Sequence, residues 1–241
     1  TEENYLYAVP YDWYTKYGVR KYGFHGMSHK YVSMEMNKIL SRKDTKIITC
    51  HIGNGASISA VLNGVCIDTS MGFTPNAGLM MGSRSGDIDA TMIPYVMDKS
   101  GMTLDEVMNE LNKNSGYLGI SGVSSDGRDI EEGCQNGNER CLLAQKMYIK
   151  RIVDYIAMYY AELGGCDAIV FTAGVGENSC KTRQEIMEGL KAFGITINKE
   201  NNGKRGEVIE VTGNDSKIPC YVIPTNEELM IAKDTYELIK E

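Results

Sequence analysis

The segment that most constrains the fold is KIITCHIGNGASISAVLNGVCIDTS, which occupies residues 46–70. It contains short runs of strand character at 46–51, 56–62 and 65–69, separated by small turn residues. Asn63-Gly64 lies between the second and third runs and is typical of a tight β-hairpin, because both residues tolerate positive φ. The segment therefore predicts an antiparallel meander.

Helical patterns lie on both sides of this meander. Ser28 is a candidate N-cap for an imperfect helix that ends near Leu40. After the meander comes a glycine-rich loop without regular structure, and Thr103 with Glu106 then forms a capping-box pattern for another helix. Apolar residues at nearly helical spacing between 142 and 160 predict a long helix.

Two strand-to-helix units close the chain. CDAIVFTAGVGENS predicts a buried strand, a tight glycine turn and a helix capped by Asn178 or Ser179. CYVIPTNEELMIAKDTYELI repeats that plan, with Thr225 and Glu228 as a second capping box. The order is therefore β-β-β-α-β-α-β-α, which indicates an α/β fold with a mixed sheet flanked by helices.

Composition narrows the function classes. A net charge of -7 argues against a broad basic surface for nucleic acid, and no apolar run approaches the roughly 18 to 20 residues of a membrane span. The 7 cysteines are scattered and form no C-x-x-C pair, so neither a disulfide framework nor a zinc ribbon is indicated. Reduced thiols favour a cytoplasmic protein.

Two glycine-rich turns are candidates for phosphate contact, because backbone amides can approach an anion where side chains are absent. Gly53-Asn54-Gly55 lies between strands, where a plain hairpin turn is an equally good interpretation. The run 174–179 follows a predicted strand and precedes a helix, which favours nucleotide contact. Neither turn has the third glycine of a dinucleotide fingerprint, and no Walker A pattern occurs in the chain.

Single charged residues and the histidines allow two interpretations each. His25 and His29 have the spacing of metal ligands on a helix, but Gly26 follows His25 where a zinc protease motif has Glu, so zinc is disfavoured. Arg84 lies among small residues and could bind a carboxylate or phosphate, or simply pair with Asp87. Glu227 could hold a metal-bound water, or merely interact with a helix dipole.

Six motifs of the chain resemble those of acetate kinases in order and approximate spacing: YGFHGMSH, HIGNGAS, MGSRSGDID, SSDGRDI, FTAGVGENS and TNEE. The resemblance runs through essentially the whole chain. It implies the actin-like ATPase (ribonuclease H-like) fold of the sugar-kinase, heat-shock chaperone and actin superfamily. It also implies reversible phosphoryl transfer from ATP to acetate, with Mg²⁺ or Mn²⁺ as the metal ion and ATP or ADP as co-substrate.

The resemblance implies roles for individual residues as well. The transferring phosphoryl group would contact His25 and Arg84, and the acetate pocket would be walled by Phe24 and Pro75. Glu227 would position magnesium through water. The nucleotide would be held by His51, Asn54 and Gly55 at the phosphates, by Asp126 and Arg128 at ribose and adenine, and by Gly174, Val175 and Asn178 around the base.

One departure from the family pattern stands out. Acetate kinases carry a further domain before the first of these motifs, and this chain starts at Thr1 with TEENYLYAVPYDWYTKYG, which has no helix or strand start signal. We therefore expect a C-terminal domain at 1–227 and a closing helix at 228–241 that packs on the absent domain. The chain alone is expected to be inactive, and the family implies a homodimer.

Three other functions remain open from the sequence. A propionate or butyrate kinase would keep the fold and change the acceptor, since Phe24 and Pro75 alone do not fix the depth of the pocket. A stand-alone nucleotide-binding or dimerisation module would bind ADP weakly without transfer. A zinc hydrolase would use the histidines at 25, 29 and 51.

Overall fold

The computed structural model describes residues 1–240. Its strands form one mixed sheet: β1 (Lys46–Ile52), β2 (Ala56–Leu62), β3 (Val65–Thr69), β4 (Ala168–Thr172), β5 (Ile209–Glu210) and β6 (Cys220–Val222). Their spatial order is β3-β2-β1-β4-β6-β5. β1 pairs antiparallel with β2 and parallel with β4, and β6 extends the parallel part. The predicted mixed α/β sheet is confirmed.

The meander forms as the sequence predicts. β1 and β2 pair from Lys46 opposite Leu62 to Ile52 opposite Ala56, and β3 pairs antiparallel with β2. Asn63 and Gly64 have φ values of 53° and 80°, which are the positive angles that a two-residue hairpin turn requires. β5 was not predicted, because two residues at a sheet edge carry no periodic signal.

The helices flank this sheet. The first half of the chain contains α1 (Glu2–Tyr5), α2 (Tyr11–Tyr17), α3 (Gly26–Leu40), α4 (Met92–Ser100), α5 (Leu104–Lys113) and α6 (Gly116–Ser121). The second half contains α7 (Gly127–Gln135), α8 (Glu139–Glu162), α9 (Ala173–Asn178), α10 (Cys180–Gly189), α11 (Lys199–Asn202) and α12 (Glu227–Ile239), with a short 3-10 turn at Lys191–Phe193. None of the helices in this described part of the chain is long and apolar enough to cross a membrane.

Strand alternation divides the core into two layers. Ile48, Cys50 and Ile52 of β1 belong to the large apolar cluster that includes Tyr148 and Ile152 of α8. Ile47 faces the opposite side, in a smaller cluster with α3 and β4. Full burial of one such isoleucine stabilises the fold by roughly 1.5–3 kcal/mol.

The face of the sheet towards α3 also carries polar side chains, because Thr49 and His51 alternate with the apolar residues of β1. On β2 the alternation places Ser57 and Ser59 on the same side as Val61, which packs in the cluster beneath α3. This polar strip runs towards the end of β1, where the candidate site lies.

Several predicted helix boundaries are wrong. α3 begins at Gly26 with His25 as its N-cap residue, since the hydroxyl of Ser28 bonds to His51 rather than to the helix backbone. The predicted second capping box is absent from the described chain, because Asn226 caps α12 and Thr225 bonds to Ser28. Thr103 and Glu106 do form the predicted capping box of α5.

Other segments that were predicted to be irregular are helical. The glycine turn after β4 is the short helix α9, and Ser179 caps the next helix, as one of the two predictions had it. Asp126 is the N-cap residue of α7, and its carboxylate accepts a bond from the Arg128 amide at 2.8 Å. α1 and α2 occupy the initial segment that had no start signal.

The last helix packs on α3 within the chain itself. Lys30 of α3 forms an ion pair with Asp234 at 2.7 Å, and Met230 is 2% exposed. Leu229 and Leu238 keep exposed apolar surface. The predicted division at 227/228 falls at the start of α12, and packing on a further domain stays a prediction; Glu241 lies outside the described residues.

Candidate functional site

Three histidines meet at the end of β1. His25 and His51 stack with ring centroids 4.0 Å apart and an interplanar angle of 14°. The His29 ring lies 6.5 Å from that of His25 and 6.1 Å from that of His51. His25 has a left-handed backbone with φ of 60°, a conformation that costs energy for a residue with a Cβ and that often occurs at functional sites.

Hydroxyl groups connect the rings to the sheet. His29 Nδ1 lies 2.7 Å from Thr49 Oγ1, and His29 Nε2 lies 2.7 Å from Ser57 Oγ. The same Ser57 Oγ lies 2.9 Å from His25 Nδ1. Both nitrogens of His29 are therefore occupied by hydrogen bonds, which leaves this residue poorly suited to bind a metal.

A second set of hydrogen bonds begins at His51. Its Nδ1 lies 2.8 Å from Ser28 Oγ, to which the hydroxyl of Thr225 donates at 2.8 Å. The amide of Thr225 donates to Glu177 Oε1 at 3.1 Å. These contacts tie the start of α3 to the segments that follow β4 and β6.

Arg84 reaches the same place from the glycine-rich loop at 70–91. A Cβ atom built on Gly55 would lie 3.4 Å from Arg84 Nη1 and 3.7 Å from His25 Nε2. The absence of a side chain at Gly55 thus leaves a small space lined by a guanidinium and an imidazole nitrogen. A phosphate-sized anion suits this chemistry, because a guanidinium is always charged and offers several donors.

The pairing of Arg84 with Asp87, one of the two interpretations from sequence, is wrong. Arg84 Nη1 donates to the carbonyl of Pro75 at 3.3 Å, which brings both predicted residues together. Asp87 instead accepts from the amide of Gly78 at 2.7 Å and from the hydroxyl of Tyr155. Asp87 therefore fixes the loop, and the Arg84 guanidinium has no carboxylate partner among the described residues.

Burial keeps all three histidines neutral near pH 7. It lowers the pKa of His51 to about 3, with a further contribution from His25. The pKa of His29 lies well below its usual value, chiefly because the ring is buried. Burial and then the charge of Arg84 lower the pKa of His25. The positive charge at the site consequently comes from Arg84.

The turn at 53–55 contacts the loop at Gly82, which in turn lies beside Ser125. The amide of Gly82 donates to the carbonyl of Asn54 at 3.1 Å, and a Cβ on Gly82 would lie 2.7 Å from the carbonyl oxygen of Ser125. Ser125 precedes Asp126, which pairs with Arg128 at 2.6 Å. That pairing lowers the pKa of Asp126 to about 2. Arg128 projects into solvent, with its side chain 89% exposed.

Helix α9 carries the residues predicted to surround the base. Gly174 and Asn178 are exposed and Val175 is half-buried. The helix is held from inside by Arg183, which is fully buried and donates from Nη1 to the carbonyls of Gly176 and Glu177 at 2.8 and 2.9 Å. These bonds hold the backbone of α9 on its buried side.

Glu227 is the first residue of α12 and is half-buried, two residues after Thr225. Among residues 1–240, no group of three or more His, Cys, Asp or Glu side chains could hold a metal ion together. Magnesium usually keeps several waters and binds one or two carboxylates together with substrate phosphates. A single half-buried carboxylate therefore fits a magnesium ion held partly by nucleotide, and does not fit a metal cage built by this chain alone.

The structure brings together part of the predicted set. His25 stacks on His51 and Arg84 bonds to Pro75, the side-chain-free position of Gly55 lies between Arg84 and His25, and Phe24 precedes His25. The side chains of Asp126 and Arg128 bond to each other. They do not bond to the residues of α9, so only the fold relates the two groups.

Sequence reasoning missed the role of the residues that hold these groups in place, and it predicted two of them, Ser28 and Thr225, only as helix caps. The residues with this role are Ser28, Thr49, Ser57, Glu177, Arg183 and Thr225. One signal could have found two of them: Thr49 and Ser57 are polar positions inside strands whose other residues are apolar, and hydroxyl groups in buried strands require partners.

Comparison with known proteins decides the family. A model of the acetokinase family matches residues 1–233. The chain belongs to the acetokinase family. Among its relatives are proteins named acetate kinase from Treponema denticola and Bacillus subtilis (strain 168), each 52% identical over 99% of the chain. The chain spans 60% and 61% of the length of these two relatives.

Solved structures of two kinases share the fold. The crystal structure of Porphyromonas gingivalis acetate kinase matches 99% of the chain and 61% of its own length, with a TM-score of 0.95 and 48% identity. A propionate kinase from Francisella tularensis subsp. tularensis matches 96% of the chain and 59% of its own length, with a TM-score of 0.92 and 41% identity. The expected actin-like ATPase fold is confirmed by these likenesses.

Proposed function

We propose that the chain contributes the phosphoryl-binding side of an acetate kinase, which transfers the γ-phosphoryl group of ATP reversibly to acetate and gives acetyl phosphate and ADP. The observation that carries the proposal is the convergence of the Arg84 guanidinium and His25 Nε2 on the side-chain-free position of Gly55. Acetate as acceptor is supported by the names of relatives that are 52% identical to the chain.

The reaction needs positioning and charge neutralisation more than covalent help. A carboxylate oxygen of acetate attacks the γ-phosphorus in line, while the bond to the oxygen of the leaving ADP breaks. Negative charge spreads over the equatorial phosphoryl oxygens during this displacement. Arg84 neutralises that charge, and neutral His25 donates one hydrogen bond beside it. Phe24 and Pro75 wall the acetate pocket.

The nucleotide lies along the turns that follow the central strands. His51, Asn54 and Gly55 contact its phosphates, in keeping with the position of the 53–55 turn beside Arg84. Asp126 and Arg128 hold ribose and adenine, and the exposed side of α9, with Gly174, Val175 and Asn178, lies around the base. Open sheets commonly bind ligands at the carboxyl ends of their strands, and β1 and β4 end here.

Magnesium or manganese, when bound with the nucleotide, supplies further neutralisation of phosphate charge. Glu227 would hold this ion through water, and its position in the first turn of α12 and its partial exposure support that role. No step in the proposed reaction requires Glu227 to touch the transferring group.

The site is expected to be incomplete in the 241-residue chain, which spans 60% of the length of a relative such as the Treponema denticola protein. We therefore propose that this chain alone has no significant turnover. A fusion that adds the segment of the Bacillus subtilis relative that the chain does not match is expected to turn over.

Acetyl phosphate formation by the chain alone and by this fusion tests the proposal. Removal of an arginine that neutralises a transferring phosphoryl group lowers kcat on the order of 10³-fold, so R84A in the fusion should show such a loss and R84K a smaller one. Turnover by the chain alone would contradict the incomplete site. An active fusion that is unaffected by R84A would contradict the role of Arg84.

Propionate is the second candidate acceptor, favoured by the likeness to a propionate kinase with a TM-score of 0.92. One methylene is worth about 1–3 kcal/mol of discrimination in an apolar pocket. Rates with acetate, propionate and butyrate in the active fusion would rank the acceptors, and a kcat/KM highest for propionate would replace acetate in the proposal.

Location and assembly are also proposed. All 7 cysteines are unpaired, which supports a reducing cytoplasm. A homodimer is expected from the family, and light scattering of the purified chain would measure its mass.

A stand-alone binding module would bind ADP, but a fusion that contains it would show no turnover.

A further inference from the structure

Four polar side chains form a continuous hydrogen-bonded chain that ends at His25. It starts at Thr49 Oγ1, passes through His29 at 2.7 Å on both sides, and reaches Ser57 Oγ and then His25 Nδ1 at 2.9 Å. Thr49 and Ser57 are 0% exposed and His29 is 4% exposed. Only the His25 end faces the space beside Arg84, so the first three residues do not touch a substrate.

The directions of these bonds depend on one another. A hydroxyl has one proton to donate, and a neutral imidazole has one N–H and one acceptor nitrogen. If Thr49 donates to His29 Nδ1, then His29 carries its proton on Nε2 and donates to Ser57. Ser57, whose hydroxyl has no other hydrogen-bond partner among residues 1–240, then donates to His25 Nδ1, which leaves the His25 proton on Nε2. In the reverse direction every bond is inverted and His25 Nε2 is a bare acceptor.

One observation favours the direction that starts from Thr49. In the reverse direction the Thr49 hydroxyl has to donate to the carbonyl of Ser59, which lies 3.5 Å away at the limit of a hydrogen bond. The forward direction uses the 2.7 Å contact with His29 instead. The forward direction also gives His25 an N–H at Nε2, the atom that lies next to Arg84 around Gly55.

The neutral charge of the His25 ring fits a proton on Nε2. A protonated His25 would donate from Nε2 in either case, but burial and the neighbouring Arg84 lower the pKa of this ring. His29 and His51, which pack against it, are also kept neutral by burial. A neutral ring can donate to an anion from Nε2 only if Nδ1 carries no proton, and a hydrogen bond donated by Ser57 to Nδ1 favours that tautomer.

We propose that Thr49, His29 and Ser57 are positioning residues that hold neutral His25 in the tautomer protonated at Nε2, which donates to an anionic phosphoryl group beside Arg84. The identity of the anion rests on the proposed function. The tautomer is a property of the chain itself and can be measured without any substrate.

The test is nitrogen-15 NMR of the imidazole rings in the purified chain at pH 7.5. The chain has 3 histidines, so long-range proton–nitrogen correlations give few signals, and H25Q identifies those of His25. The expected result is a protonated Nε2 and an unprotonated Nδ1 for His25. A wild-type His25 protonated at Nδ1 would overturn the proposal at once.

Substitution then tests whether Thr49 sets the tautomer. T49V removes the terminal donor, so His25 should shift towards the Nδ1-protonated form, whereas T49S should retain the wild-type tautomer. S59A is the matched control: Ser59 is equally buried on the neighbouring strand, and its hydroxyl bonds to Thr69 outside this set. A merely structural role for Thr49 predicts no difference between T49V and S59A in the His25 signals, and that result would overturn the proposal.

Two further measurements distinguish failure of the positioning role from misfolding of T49V and from failure of the proposed function. If T49V fails to fold, S57A, which removes the link to His25, should give a mixture of both tautomers, and an unchanged tautomer would overturn the proposal. In the active fusion, T49V should lower kcat about tenfold with little change in KM, and T49S should restore it. A fusion without turnover would reject the proposed function, while an Nε2-protonated His25 would still support the positioning role.

Discussion

Glu177 Oε1 accepts a hydrogen bond from the backbone amide of Thr225, 48 residues further along the chain, at 3.1 Å. The same oxygen accepts from the amide of Ala173 at 2.8 Å. One carboxylate oxygen thus joins the segment after β4 to the segment after β6. Ala173 has a left-handed φ of 67°, which is unfavourable for a residue with a Cβ and needs such support.

Removal of this carboxylate should destabilise the fold. E177A leaves the amides of Ala173 and Thr225 without their acceptor, which costs about 1–3 kcal/mol in unfolding free energy. E177Q retains a carbonyl oxygen and should lose less. Urea unfolding measures the effect. The control is E188A on α10, where the exposed carboxylate meets only the side chain of Gln184, and there the change should stay within about 0.5 kcal/mol. Equal losses in E177A and E188A would contradict this role.

We expect that Gly55 is needed for turnover, because it leaves space for the anion, and that it is not needed for the stability of the fold. In G55A the new methyl group would lie 3.4 Å from Arg84 Nη1 and 3.7 Å from His25 Nε2, which is ordinary van der Waals contact. Gly55 has no positive φ, so the backbone accepts alanine. We expect unfolding free energy to change by about 1 kcal/mol or less, whereas turnover of the active fusion should fall steeply because the methyl group occupies the space for the phosphoryl group.

The control for G55A is G26A, since nothing lies within 4 Å of a Cβ at Gly26 although the residue adjoins His25. G26A should retain turnover. A G55A fusion that keeps wild-type kcat and KM would show that the space around Gly55 does not hold the reacting group.

The sequence predicts the meander and the two strand-to-helix units because each has a local cause, such as the Asn63-Gly64 turn or a buried apolar strand. Helix starts are less predictable where a side chain has a distant partner. Ser28 has the composition of an N-cap residue, yet its hydroxyl bonds to His51 and to Thr225, which is 197 residues away. Local rules contain no term for such contacts.

The candidate site likewise contains residues that the sequence identifies and residues that only the folded structure identifies. Arg84 and His25 stand out in the sequence because glycines and small residues surround them. The residues that orient them are ordinary hydroxyls, and Ser57 acquires its role only when β2 places it between His25 and His29. Motif resemblance therefore identifies groups that touch a substrate, while their supports become visible only in the folded chain.

Stability should fall on mild acidification because the histidines are neutral in the fold. Their folded pKa values are lowered, to about 3 for His51, whereas an unfolded histidine titrates near its usual value. Below about pH 6.5 the unfolded chain binds protons that the folded chain does not, so unfolding becomes more favourable. This stability is present above pH 6.5 and is lost progressively as the pH falls.

Urea unfolding between pH 7.5 and pH 5 measures this slope, in a range where most carboxylates stay ionised. The 3 histidines of the chain all belong to the cluster, so no other histidine contributes. H51Q removes one titrating group and should flatten the slope. An unfolding free energy that is constant over this range, or an H51Q slope equal to that of the wild type, would mean that the rings are protonated in the fold.

Two tyrosines on α8 should respond in opposite ways to loss of the hydroxyl. Tyr155 donates to Asp87, which also holds Gly78 and so fixes the loop that carries Arg84. Tyr159 has a buried hydroxyl without a partner among the described residues. Burial raises the pKa of both phenols, which are therefore neutral donors at pH 7.

Y155F should cost about 1 kcal/mol in unfolding free energy, since Asp87 loses a partner, while Y159F should be neutral or stabilising because an unsatisfied buried group costs about 1–3 kcal/mol. In the active fusion Y155F should also lower kcat several-fold through looser placement of Arg84, and Y159F should leave kcat unchanged. The two variants delete the same atom from the same helix, so each controls for the other. If both lose the same stability, the Asp87 contact does not fix the loop.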